Sequence, residues 1–370
     1  MAAGKNKAGY PEALRKTWED LGQDFKEPVK SSFSKARAKI SYLFFKNKFT
    51  ELITTINAKR KTFRGLYIYA IDGQETVIPI SEEILSHGYR GRARLNNTET
   101  YYPRMYLSHV FDVVNEVTMD MSYSASRNEN RDAVSFISNL ERSSLVLYDR
   151  NYICKALVSE HLKKGNYFIF RCQSGATFKQ IIEFYKSEKR QDTWIYEGVE
   201  IRLVKITNPQ TKEDWVFATN LADDQFTIEE INELYTRRWS IETSFRDSVT
   251  QGLEQWHSKT ENGLLQELYA HLWLLNWARL QVLCEVPPSE KKWLDRKYKK
   301  ANLKLLISVM VDSLGDILRK EFKKVLLRIQ NLIRRTMQSR EHLKRTYERV
   351  HKFSDKAFPI KNVVERRAKT

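Results

Sequence analysis

Apolar residues recur at two different spacings along this chain, and the change between them divides it. Over residues 1 to about 60, best seen in SSFSKARAKISYLFFKNKFTELITTINAKR, they fall three and four apart behind a Ser cap, the spacing of one helix face. At Gly65 the texture changes. GLYIYAIDG is a β-rich run closed by an Asp-Gly pair that reads as a turn, and ETVIPI follows as its partner strand, the Pro pointing to an edge. RMYLSHVFDVVN and EVTMDMSYS make a second hairpin-like pair with its turn near Asn115. NENRDAVSFISNL reads as a helix, SSLVLYD as a short apolar strand ending in Asp149, residues 153–163 as a helix, and GNYFIFRC as a strand.

Three strands, helix, strand, helix, strand is an order that predicts a mixed sheet with helices against it, not a purely parallel one. DTWIYEGVEIRLVKI and DWVFATNL add β-like text between residues 191 and 220, where an inserted β-rich region would fall. From TIEEINELY onward the chain reads as helical. ELYAHLWLLNWARLQVL is its most apolar part and is expected to pack on the sheet as core.

Composition narrows the partners. The 370 residues are 41% apolar and 12% aromatic, enough for a real core. The formal net charge is +17, and residues 291–370 hold 24 Lys and Arg against 8 Asp and Glu, a local balance of +16. Such a charge favours a polyanion. Cys154, Cys172 and Cys284 are odd in number and form no CxxC pair, so reduced thiols are expected. The N-terminus has no apolar signal region and no run of 18 apolar residues occurs, so the expectation is a cytoplasmic protein without a membrane span. No GxxxxGK[ST] loop is present, so no bound nucleotide is expected.

The acids carry the candidate chemistry. Asp72 and Asp149 each close a strongly apolar strand, LYIYAID and SLVLYD, where rigid backbone can hold a carboxylate at the sheet edge. In YTRRWSIETSFRDSV, a helix places Tyr235, Arg238 and Glu242 along one face. Ordinary readings exist: Asp-Gly is a common turn, and Glu242 could simply pair with Arg238. Two strand-end acids and one on a following helix could instead meet. Their mutual repulsion would need a compensating cation, for which Mg²⁺ is suited. Two such ions, roughly 3.5 to 4 Å apart, would serve an in-line displacement at phosphorus. No His cluster or Cys pair offers a zinc site.

These blocks resemble a known family. YTRRWSIE matches the first three elements of the Tyr-x2-Arg-x3-Glu-x6-Lys signature of DDE transposases of the insertion-sequence 4 family, at Tyr235, Arg238 and Glu242. IDGQETVIP resembles the block of the first catalytic Asp, at Asp72, and VLYDRNY that of the second, at Asp149. The likeness runs from about residue 31 to 279. It implies an α/β fold with an RNase H-like mixed sheet flanked by helices. A helical N-terminal region (1–60) able to bind DNA ends would precede a catalytic domain (61–290) with a β-rich insertion at about 175–225. A basic helical C-terminal region (291–370) would follow.

It also implies metal-dependent cleavage and strand transfer at insertion-sequence ends, with Asp72, Asp149 and Glu242 holding two Mg²⁺ ions, or Mn²⁺ in their place. The partners would be double-stranded DNA, both transposon ends and target, and a second copy of the chain on that DNA. The Arg238 fork suits phosphate oxygens, and Tyr235 can add a hydroxyl. Trp239 would stack on a displaced base or else sit in the core. Arg150, His257 and Lys259 are further DNA contacts. The signature Lys falls on Val249; Arg246, one turn from Glu242, is one cation to replace it, and Lys259, further away, is another. A nuclease that never joins strands, or a transposase-derived protein that only binds DNA, would carry much of the same pattern.

Overall fold

A computed structural model describes residues 29–339, apart from 90–91, 96–97, 102, 176, 208–212, 251–252, 254–255 and 289–298, together with 14–15, 17–19 and 22. The helices α1 (Lys30–Ala38) and α2 (Tyr42–Asn57) lead into strand β1 (Tyr67–Val77). Then come α3 (Glu82–Ser86), a small hairpin of β2 (Arg92–Leu95) and β3 (Thr98–Tyr101), and the long pair β4 (Arg104–Asp112) and β5 (Val117–Ser124). Next are α4 (Glu129–Asn139), β6 (Ser144–Tyr148), α5 (Lys155–Lys164), β7 (Tyr167–Cys172) and α6 (Lys179–Lys186). The strands β8 (Gln191–Tyr196), β9 (Val199–Thr207) and β10 (Asp214–Thr219) precede α7 (Ile228–Arg237), α8 (Trp239–Thr250) and the long α9 (Glu261–Glu285). The two-residue strand β11 (Lys299–Lys300), helices α10 (Leu303–Asp312), α11 (Leu314–Leu318) and α12 (Phe322–Thr336), and the short β12 (Gln338–Ser339) end the described chain.

Eight strands form one sheet in the order β5-β4-β1-β6-β7-β10-β9-β8. The pairs β1/β6 and β6/β7 are parallel and the others antiparallel, so the fold is a mixed α/β sheet flanked by helices. Its first five strands make an RNase H-like arrangement, with β4 alone running against β1, β5, β6 and β7. The β-like text of residues 191–220 does not form a separate sheet. It continues this one from the edge of β7, with Val216 opposite Cys172.

Alternation along the central strands buries both faces. Tyr69, Ile71, Val146 and Phe168 lie with Phe136 of α4 and Leu157 of α5 on one side. Ile68, Ala70, Leu145 and Ile169 lie on the other with Leu234, Tyr235 and Ile241 of the α7–α8 region. The long helix α9 packs on the β4–β5 end of the sheet, Leu264 and Leu268 lying with Met105, Leu107 and Met121. It is a spine between α2, through Leu264 and Leu268 near Phe49, and the C-terminal helices, through Leu275 and Ala278 near Leu306 and Ile329. Its polar Asn276 ties it to β5 by bracketing Thr118, accepting from the backbone N–H at 3.0 Å and donating to the carbonyl at 2.6 Å. Among the described residues, no helix is long and apolar enough to cross a membrane.

Two expectations need correction. Asp72-Gly73 is not a turn, and ETVIPI is not a second strand. β1 runs straight through both residues and pairs with β4 from Tyr69↔Asp112 to Val77↔Arg104. The missing side chain at Gly73 serves close packing: a Cβ there would stand 2.5 Å from Glu129 Oε1. The polar stretch before β4 also contains the β2–β3 hairpin, which no apolar alternation announces.

Candidate active site

Sheet register brings the two aspartates together. β1 and β6 pair in parallel up to Ala70↔Leu147, and extending that register by two residues sets Asp149 beside Asp72. Asp72 therefore lies inside β1 but just past the end of β6. There its Oδ1 accepts from the Gly73 N–H at 2.8 Å.

The third acid arrives from the helical side. A capping box of Thr227 and Glu230 starts α7. The expected single helix is in fact two, meeting at Arg238. The backbone tightens there, with the Arg238 N–H donating to the Tyr235 carbonyl at 2.9 Å and the Ile241 N–H to the Arg238 carbonyl at 3.0 Å. Arg238 keeps right-handed dihedrals (φ −50°, ψ −36°), so Tyr235, Arg238 and Glu242 still reach the same region.

Arg238 is the hub. Its Nη1 donates to Asp72 Oδ2 at 3.2 Å and its Nη2 to Glu242 Oε1 at 2.8 Å. The Tyr235 hydroxyl donates to Asp149 Oδ1 at 3.5 Å. The Arg238 side chain is only 3% exposed, against 21% for Asp72 and 33% for Glu242, so the acids open outward from a buried cation.

Electrostatics follow this arrangement. Burial pushes Asp72 up to about 6, opposed by Arg238 and the Gly73 N–H and reinforced by Asp149 and Glu242. Burial alone would lower the Arg238 pKa, but Tyr235, Glu242, Asp149 and Asp72 together hold it above its ordinary value. Tyr235 is pushed up to about 12, chiefly by burial. Both groups keep their protons at neutral pH.

The donor set is all oxygen, which suits a hard divalent cation such as Mg²⁺. Among the described residues, no group of three or more His, Cys, Asp or Glu side chains is gathered closely enough to cage a metal ion. The charge of Asp72 and Glu242 is instead met by the Arg238 guanidinium.

The other predicted residues divide. Arg150, directly after Asp149, is exposed, as is Arg246, one turn beyond Glu242. Trp239 is 40% exposed with the Arg238 guanidinium 5.2 Å from its ring, so it is not a core residue. Val249, at the signature Lys position, is also exposed. His257 and Lys259 are not brought to the acids. The Lys259 carbonyl accepts from Ser81 Oγ at 2.6 Å, the His257 N–H donates to Glu267 Oε2 at 2.9 Å, and Trp256 beside them donates to Thr76 Oγ1 at 3.2 Å. Thr76 lies about 13 Å along β1 from Asp72.

Three further residues surround the acids, of which only Tyr152 carries a sequence expectation, that of shaping the turn after Asp149. His109 is the ladder partner of Asp72. Burial, with Arg279 adding to it, pushes His109 down to about 3, so it is neutral. Tyr152 is buried with no hydrogen-bond partner for its hydroxyl, and burial raises its pKa, with Asp72 and Glu129 adding to the shift. Glu129 occupies the space over Gly73. The glycine itself was the available signal for this close approach, but Asp-Gly reads first as a turn.

Residues 63–277 match the family model described as "Transposase DDE domain", more than half of the chain. The chain belongs to this family. Among curated proteins, none matches it. Among solved structures it is similar to the piggyBac transposase in its synaptic complex with hairpin DNA, at 13% identity and a TM-score of 0.39. That alignment covers 81% of this chain and 62% of the other, so the chain spans about three fifths of that transposase's length.

Proposed function

We propose that this chain is a transposase of the insertion-sequence 4 group that cuts DNA at element ends and joins the freed ends to a target. The observation that carries this reading is the Arg238 hub with Asp72 and Glu242 bonded to it and Asp149 alongside, all within the family-matched residues.

In the cleavage step, a water oxygen attacks phosphorus and the bond from phosphorus to O3′ breaks. This leaves a 3′-hydroxyl on the element and a 5′-phosphate on the flank. In the joining step that hydroxyl attacks a target phosphorus, one phosphodiester forms as another breaks, and no nucleotide is consumed. Asp72, Asp149 and Glu242 would hold two Mg²⁺ or Mn²⁺ ions, whose chemistry is activation of the attacking oxygen and stabilisation of the leaving one. Strand backbone fixes Asp72, and Asp149 follows directly on β6, so both acids are presented from anchored positions. Arg238 can turn its fork from the carboxylates to the incoming phosphate, with Tyr235 beside it.

DNA duplexes are the proposed partners, with two copies of the chain acting together on them in the cytoplasm. The N-terminal helices and the basic C-terminal region, whose residues 340–370 lie outside the described ones, are the proposed end-recognition parts on either side of the catalytic domain. Val249 favours a second reading, a DNA-binding descendant with weakened catalysis, because an exposed apolar side chain stands where the signature has a Lys.

One assay separates the readings. Labelled element-end duplex with Mg²⁺ should yield nicks and joined products. Nicks without joining would indicate a nuclease, and metal-independent binding with neither product would indicate the descendant.

A further inference from the structure

Arg279, on α9, touches none of the three acids, yet the structure assigns it a part in the site. We propose that Arg279 is a positioning residue that sets the rotation of α8 and so the placement of Glu242. This rests on the metal-binding role proposed above for Glu242.

Arg279 is 6% exposed, with its guanidinium over the Phe111 ring at 5.2 Å. Its Nη2 donates to Ser244 Oγ at 2.9 Å and lies 4.0 Å from Asp247 Oδ2. Both partners belong to α8. At about 100° per residue, Ser244 and Asp247 lie about 160° one way and 140° the other way round the helix from Glu242. They flank the direction opposite to it, so one guanidinium grips the back of the helix whose front carries the acid.

Ile241 and Phe245 pack α8 on its sheet side, and the grip of Arg279 acts on the flank where that packing stops. A cavity of about 270 Å³ opens on this flank, lined by Ser240, Thr243 and Asp247 of α8 together with Arg279, Glu116 and Lys304. The two cations and two anions of that lining cancel, so charge selects no ligand class for the cavity. It does leave one side of α8 without close-packed neighbours to resist rotation. A buried guanidinium is costly, and one of its nitrogens has no hydrogen-bond partner. An aliphatic side chain would fill the same place at lower cost but could not hold two groups one turn apart.

The test is isothermal titration of the full chain with Mn²⁺ alone, without DNA, beside thermal unfolding. Arg279→Met should fold and bind Mn²⁺ about tenfold or more weakly, the scale for losing a residue that orients a metal ligand. Arg279→Lys should recover part of the loss by reaching one of the two groups. Should Arg279→Met fail to fold, Ser244→Ala/Asp247→Asn removes both grips from the other side and should show the same loss. Wild-type Mn²⁺ affinity in that folded double variant would overturn the proposal. Glu242→Gln is the separate control: unchanged Mn²⁺ binding there would overturn the metal role of Glu242 itself.

Discussion

Arg238 bridges Asp72 and Glu242 with the two arms of one guanidinium, 3.2 Å to the strand acid and 2.8 Å to the helix acid. Asp72 and Glu242, on elements far apart in the sequence, are thereby held by a single cation, which the two acids need whenever no metal compensates them. Arg238→Met should lower stability by about 1–3 kcal/mol in metal-free solution, discounted for the partial exposure of both acids. Mg²⁺ should then raise the melting temperature of the variant more than that of the wild type. Equal Mg²⁺ shifts in the two proteins would show that Arg238 and the metal do not answer the same charge.

Trp239 is a surface residue beside the hub. Trp239→Ala should change stability by no more than about 0.5 kcal/mol. If the ring stacks on an unpaired base, the substitution should cost about 1–3 kcal/mol in binding to an end duplex with an unpaired terminal base. Fully paired duplex should bind as before. Equal affinity for the unpaired substrate would remove the stacking role.

Buried histidines set an acid limit. His161, whose Nε2 lies 2.9 Å from the Tyr148 hydroxyl, is pushed down to about 3 by burial. His271 is pushed down to about 4, by burial first and then by Arg279. Both values lie below the ordinary 6.5, so the unfolded chain takes up these protons first. Their stabilisation is complete above pH 6.5 and is lost as pH falls toward 4 and 3, at about 1.4 kcal/mol per unit for each. Asp112, held near 6 chiefly by burial, works in the opposite direction, so the diagnostic is a difference. Denaturant titrations at pH 7 and pH 5 should show a shallower loss for His161→Gln than for the wild type. Parallel losses would mean that His161 is already protonated in the fold.

The C-terminal charge is a property of sequence. The last 20 residues carry six Lys and Arg against two acids, a balance of +4, and lie outside the described residues. Their removal should weaken binding to specific and random duplexes alike and flatten the plot of log affinity against log salt. An unchanged slope would show that this segment does not touch phosphate.

The sheet class was legible because alternation and apolar runs mark strands directly, and LYIYAI and SLVLY carry both. Asp149 lies one residue past β6, where the apolar run ends. The strand-end reading of Asp72 does not hold. The supposed turn is continuous strand, and the residue's place comes from β6 stopping short beside it. Register between distant strands has no local signature, so the pairing of Asp72 with His109 could not be read. The break at Arg238 was hidden because its dihedrals stay helical. Arg279 looked like a charge interrupting an apolar helix, and only the packed structure gives it Ser244 and Asp247.

The central claim is that Glu242 acts in catalysis and is more than a counter-ion for Arg238. The most direct measurement is the single-turnover cleavage rate of a pre-nicked element-end duplex at fixed Mg²⁺, for the wild type and Glu242→Gln, with unfolding curves alongside. An ion-pair role alone would cost about 0.2–0.5 kcal/mol of stability and little else. With Glu242 in the catalytic role, the Glu242→Gln protein should fold, bind the duplex and leave it uncut. Wild-type cleavage by that variant would contradict it.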